Sequence, residues 1–236
     1  MTLKKLSWLL AFVYILYIFL ARIPELSTLA IFSAVAAYLF LVFVYLFHSY
    51  ANLGPRRATL FLLLAYAISF FFEFLGVNTG FPFGRYAYTG SLGAALGGVP
   101  LLIPFLWASL GYFCMIATKR EYIVPSLLLV IIDVFIDPRY SMTLWHWVGP
   151  TQFYGVPLSN FLGWFITSMV FFSAYQLFAK KGFGSGKALL FYYLVGVQSA
   201  VADVQAGLWQ VALIALVLLT FATIMVLRDN EGLFAR

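Results

Sequence analysis

Four carboxylates stand in surroundings that give an acid no ordinary solvation. Glu73 is enclosed by Phe70, Phe71, Phe72 and Phe74; Asp133 and Asp137 break the apolar run around Ile131, Ile132, Val134, Phe135 and Ile136; Asp203 lies between two apolar segments near Gln198 and Gln205. Asp133 and Asp137 are four apart, so a helix sets them on one face, and Pro138 marks a helix end beside Asp137. An acid inside a membrane costs several kcal/mol unless it is paired or neutral, so its default reading is functional. Burial favours the neutral carboxylic acid, which suits a general acid. A close pair can also share one proton, one member acting as acid and the other as base. The structural alternative is that these acids pair with Arg85 and Arg139 to hold loops closed. Asp137, two residues from Arg139, is the strongest case for it, and Asp203 serves equally well at a helix end or turn. The other acids, Glu25, Glu121, Asp229 and Glu231, sit at segment ends or in the tail and read as solvated.

Few other residues offer chemistry. His48 ends an apolar segment and is expected among lipid headgroups. His146 lies between Trp145 and Trp147, as a hydrogen-bonded side chain or as a donor or relay. Asn78 and Asn160 fit loop backbone or a bound water. Two histidines cannot supply the histidine sets of membrane di-iron enzymes. One cysteine, Cys114, excludes an intramolecular disulfide and any multi-cysteine metal site. Neither a dinucleotide-binding glycine motif nor a P-loop occurs, and Asp133 and Asp137 lack the polar spacing of magnesium-diphosphate sites. The chemistry left is acid–base work on an apolar ligand without cofactor or metal, or else transport or binding.

The elements that must position these residues belong to a membrane. Of 236 residues, 64% are hydrophobic and 9% charged, against about 25% charged in soluble domains. A span needs roughly 20 apolar residues. Eight segments qualify, near Leu6–Ala21, Leu29–Phe47, Ala58–Gly76, Val99–Thr118, Tyr122–Ile136, Asn160–Ala179, Ala188–Ala202 and Leu208–Leu227. The first follows Lys4 and Lys5 but lacks a clean cleavage site, and is kept as a helix. Alternate connections hold 11 of the 14 Lys and Arg residues, which places both termini in the cytoplasm. The expected fold is all-α: about eight transmembrane helices around a central apolar cavity, in one transmembrane domain over 1–236, multi-pass in the cell membrane. The net charge of +6 then reports orientation, and no nucleic-acid partner is expected.

Two long outer connections, 77–98 and 137–159, are rich in Gly, Pro and aromatic residues. They read as ordered caps or re-entrant segments over a cavity, with an interfacial aromatic belt as the alternative. Gly98-Val99-Pro100-Leu101 recurs as Gly155-Val156-Pro157-Leu158, with Trp107 and Trp164 at one offset and Arg85-Tyr86 and Arg139-Tyr140 before the two copies. Spans three–four and five–six are thus a candidate internal repeat.

The stretch from Glu73 through Asn78-Thr79-Gly80-Phe81-Pro82-Phe83-Gly84-Arg85-Tyr86-Ala87-Tyr88, with Gly98-Val99-Pro100-Leu101 and Trp107, resembles the first signature of a membrane carotenoid-biosynthesis family. That family includes the carotenoid 1,2-hydratases of bacteria and the bisanhydrobacterioruberin hydratases of haloarchaea. Asp133, Asp137-Pro138, Trp145, Trp147, Tyr154-Gly155-Val156-Pro157 and Asn160-Phe161-Leu162-Gly163-Trp164 are similar to the second signature. The resemblance implies water addition across the terminal C1,2 double bond of a linear carotenoid, giving a tertiary alcohol.

Such a reaction needs an acid, aromatic faces for a tertiary cation, and one water. Glu73, Asp133 and Asp137 are the catalytic candidates. Tyr86, Tyr88, Trp145, Trp147 and Tyr154 are candidate cation-facing aromatics, although packing or lipid contact explains any one of them. Asn78, Arg85, Arg139, His146, Asn160 and Asp203 complete the candidate substrate site. The expected partners are a linear carotenoid or related long-chain isoprenoid, membrane lipid and other carotenoid enzymes. A membrane lycopene-type cyclase, a transporter and a carotenoid- or lipid-binding protein stand as alternatives.

Overall fold

The computed structural model describes residues 2–29, 33–118, 122–141, 143–179 and 185–229, the last without its side chain. Glu121, Glu231 and the Asp229 side chain, expected to be solvated, lie outside the described residues; Glu25 is exposed. The helices are α1 (Leu3–Leu20), α2 (Pro24–Ser27), α3 (Ala34–Leu53), α4 (Pro55–Thr79), α5 (Ile103–Ala117), α6 (Ile123–Tyr140), α7 (Leu158–Phe178), α8 (Gly186–Gln205) and α9 (Trp209–Asp229). Six of them, α1, α3, α4, α7, α8 and α9, are long and apolar enough to cross a membrane. The segments expected as the fourth and fifth spans differ for physical reasons. α5 has only 15 residues; it is buried along almost its whole length, Cys114 included, and packs on α3, α4, α6 and α8. α6 has 18 residues and carries Asp133, Asp137 and Arg139. It also runs past Asp137, with Pro138 inside its last turn.

Helix ends follow local signals. Ser33 accepts from the Ala36 amide at 3.2 Å to start α3. Pro55 opens α4 directly after Gly54. Gly80, at φ 87°, closes α4 in the left-handed conformation and turns the chain into the first cap.

The caps are ordered and partly extended. β1 (Tyr86–Tyr88) pairs antiparallel with β4 (Trp145–Trp147), with Tyr86 opposite Trp147, Ala87 opposite His146, and Tyr88 opposite Trp145. β2 (Ala95–Leu96) and β3 (Val99–Pro100) form a hairpin around Gly97 and Gly98. Side chains alternate along a strand, so Tyr86, Tyr88, Trp145 and Trp147 share one face of the ladder. Phe83 anchors this cap between α4 and α7, where Gly76 and Gly163 leave room for its ring. A Cβ on Gly76 would meet Phe83 at 2.7 Å, and one on Gly163 would strike the same ring.

Trp107 and Trp164, the matched residues of the sequence echo, stack with centroids 3.8 Å apart. His48 is not among headgroups. It is buried at the end of the bundle away from the caps, where Nδ1 lies 2.8 Å from the Tyr112 hydroxyl and Trp8 meets the ring edge-on at 4.2 Å. Its helix turns it inward, a direction that the sequence position alone leaves open.

Candidate functional site

A cavity of about 280 Å³ lies beneath the β1–β4 ladder. Its walls come from the C-terminal halves of α1, α4, α6 and α8 and the N-terminal halves of α3, α5 and α7. Among the described residues, the buried acids Glu73, Asp133, Asp137 and Asp203 all lie toward this end of the bundle. The four ladder aromatics line it together: Tyr86 and Trp147 rings are 4.9 Å apart, Tyr86 and Tyr88 5.5 Å, and Tyr88 and Trp145 6.1 Å.

Two acids line this cavity, Glu73 and Asp137, and their partners differ in kind. Glu73 Oε2 accepts from the hydroxyls of Tyr86, in a short contact, and of Tyr88 at 2.7 Å, while Oε1 accepts from Trp107 Nε1 at 2.8 Å. An ionised carboxylate is acceptor-only, and three donors meet that requirement. Burial, and next the Glu73 charge, hold the Tyr86 and Tyr88 hydroxyls well above the ordinary phenol range. Both thus stay protonated and donate.

Asp137 has an acid for a neighbour. Asn160 Nδ2 donates to Asp133 Oδ2 at 2.8 Å and, in a shorter contact, to Asp137 Oδ2. The two carboxyl groups lie one turn apart on α6 and accept from the same amide nitrogen, so they stand side by side. Two buried carboxyl groups placed this way favour holding one proton between them. Asp133 is fully buried and does not reach the cavity wall. Asp137 does, close enough to Glu73 for the two to interact electrostatically.

The remaining candidates divide. Asn160 and Arg139 line the cavity. Arg139 pairs with Asp203 at 2.8 Å, not with Asp137, which corrects the anchoring role considered for Asp137. Asp203 is fully buried behind Arg139. Arg85 is exposed and pairs with none of the buried acids, because strand alternation turns it away from Tyr86. His146 faces away with Ala87 for the same reason. Tyr154 is 42% exposed, outside the wall. Asn78 is spent on backbone, donating to the carbonyls of Phe74 at 2.8 Å and Gly97 at 3.3 Å.

Several lining residues carried no sequence signal as site residues. Tyr14, Tyr38 and Tyr140 face the cavity, with Gln198 and Ser199 from α8 and Arg22 after α1. Tyrosine is common in apolar helices, and only the tertiary packing of α1, α3 and α6 brings these three together. The echo and the family signatures include Trp107 and Trp164 without giving them a site role, yet the first donates to Glu73 and both line the cavity. Among the described residues, no group of three or more His, Cys, Asp or Glu side chains is placed to hold a metal ion.

A family model described as carotenoid biosynthesis protein matches residues 27–222. The chain is similar to the bisanhydrobacterioruberin hydratase of Haloarcula japonica, being 31% identical over 131 residues that cover 50% of this chain and 44% of that protein. The match thus spans less than half the length of that relative. No solved structure matches the chain.

Proposed function

The chain belongs to the carotenoid biosynthesis protein family, and from that premise we propose that it is a membrane hydratase adding water to the terminal C1,2 double bond of a linear carotenoid. The observation that carries the proposal is the pairing of two unlike acids across one aromatic-walled cavity. Enzymes that run acid and base chemistry together separate their groups by environment. Here Asp137 draws on a proton shared with Asp133, while Glu73 is held by three donors.

Asp137 protonates C2 of the end alkene, and a tertiary cation forms at C1. The rings of Tyr86, Tyr88, Trp145 and Trp147 face that cation, each contributing about 0.5–2 kcal/mol where it is desolvated. The Glu73 carboxylate adds its opposite charge. Water then bonds to C1, its surplus proton passes to Glu73, and transfer of that proton back to the aspartate pair through water restores the starting state. The balance is one alkene and one water in, one tertiary alcohol out, so the cycle draws on no redox partner. At about 280 Å³ the cavity lies at the lower end of ligand pockets, about 300–1,000 Å³. It therefore takes the end group of a long polyene, with the rest of the chain running out along the bundle into lipid.

Membranes containing the protein, incubated with a linear carotenoid, should yield a product heavier by one water. A product isomeric with the substrate would instead mark a cyclase, in which a neighbouring double bond captures the same cation.

Eight membrane crossings with both termini cytoplasmic form part of the same proposal, supported by the helices at all eight apolar segments and by the basic connections. A cysteine at Ser91 or Thr151, both exposed in the caps, should react with an impermeant thiol reagent added outside intact cells. Reaction only after the cells are opened would reverse the orientation.

A further inference from the structure

The cavity has a second polar end, formed by Arg22, Arg139, Tyr38, Tyr140, Gln198 and Ser199, which the two acids leave unused. Arg139 Nη1 donates to Asp203 Oδ1 at 2.8 Å and to the Ser199 carbonyl at 2.9 Å, and its guanidinium lies 4.9 Å from the centre of the Tyr140 ring. Gln198 and Gln205 of α8 tie down the end of α1 through the carbonyls of Ile18 at 3.2 Å and Arg22 at 2.8 Å. Burial pulls the Arg22 guanidinium below its ordinary value, and Tyr140, Arg139 and Asp203 lie near enough to act on it next.

Four polar atoms cluster without protein partners at this end, whereas at the acid end both Glu73 oxygens have theirs and, among the described residues, only Trp147 Nε1 and Asp133 Oδ1 do not. Among the described residues, no protein group pairs with the buried atoms Arg22 Nε, Arg139 Nε, Asp203 Oδ2 or Trp145 Nε1. Trp145 stands between Tyr140, at 5.9 Å, and Tyr88, at 6.1 Å, so an aromatic wall joins this end to Glu73. Buried polar groups are almost always satisfied, by ordered water where protein does not reach. A site that is polar, roomy and rich in partners holds such water.

We propose that this end is the water pole of the cavity: Arg22, Arg139 and Asp203 hold the water from which the second reactant is drawn, as positioning residues and not as the acid or base. The proposal rests on the hydration reading and makes a prediction about partitioning. Once the C1 cation has formed, it has two fates. Water held at the pole bonds to C1 and its proton passes to Glu73. Without that water the cation gives a C2 proton back to Asp137, and the alkene re-forms. In deuterium oxide, loss of the original C2 hydrogen after that carbon has turned leaves deuterium in recovered substrate with no net addition.

The test uses the full chain in lipid nanodiscs with a linear carotenoid in deuterium oxide, comparing wild type with Arg22→Met, Asp203→Asn and the conservative Arg22→Lys. Arg22→Met and Asp203→Asn should lower hydrated product on the order of 10- to 100-fold while deuterium exchange into substrate persists, and Arg22→Lys should restore much of the hydration. That ratio is insensitive to the amount of folded protein. Equal loss of hydration and exchange, or hydration unchanged in both variants, overturns the proposal. Radiolytic hydroxyl-radical labelling reads the pole without catalysis. Tyr38 and Tyr140 should label above the buried Tyr45, and less so in Arg22→Met. Labelling no higher than that of Tyr45 overturns the water pole even in an active enzyme. Strong labelling in a wild-type protein that neither hydrates nor exchanges retains the pole and rejects the hydration reading.

Discussion

Asp137→Asn is expected to slow hydration on the order of 10²–10⁴-fold, the usual worth of a positioned general acid, with the bundle still folded. The asparagine oxygen can accept from Asn160 Nδ2, as Asp137 does, and its amide N–H can donate to Asp133 in place of the shared proton. The network stays satisfied, but nothing transferable faces the cavity. Asp133→Asn should cost less, because Asp133 lies behind the wall and acts on the substrate only through its partner. Single-turnover rates, taken with thermal unfolding in the same nanodiscs, check both variants. An Asp137→Asn protein with near wild-type rate would move the acid elsewhere. Equal large losses in both would mean that the pair works as one unit.

Glu73→Gln removes charge where the cation develops, and about 10²–10³-fold should be lost in rate. The variant keeps shape and hydrogen bonding: Oε1 still accepts from Trp107, and the Tyr86 and Tyr88 hydroxyls can rotate to accept from the new amide. Substrate affinity should change little, since a polyene binds through apolar surface. A rate loss with unchanged Kd for the carotenoid supports the electrostatic role. Weakened binding with an unchanged chemical step would make Glu73 a cap anchor, holding β1 over the bundle through its two tyrosines.

The acids were legible because chemistry and hydropathy disagree at them. Glu73, Asp133 and Asp137 stand in apolar runs, and all three are buried around one site. Their division of labour was not legible, since it depends on partners distant in sequence: Trp107 for Glu73, Asn160 for the aspartates. The apolar segments located the helices well, although α4 and α6 run a turn further than apolarity suggests, carrying polar residues into the caps.

Pairing of β1 with β4 joins residues some sixty positions apart, and no local rule predicts it. Given the strand, however, the alternation in Trp145-His146-Trp147 and Tyr86-Ala87-Tyr88 would have turned His146 outward and the four aromatics inward. Arg139 shows the opposite limit. Its nearest acid along the chain is Asp137, yet the helix directs its side chain to Asp203 on α8.

The most direct test of water addition by protonation is the position of the solvent label. Purified protein in nanodiscs, supplied with a linear carotenoid in deuterium oxide, should give a tertiary alcohol with one carbon-bound deuterium at C2, next to the new carbinol carbon. A product without carbon-bound deuterium, or labelled elsewhere, would contradict the account.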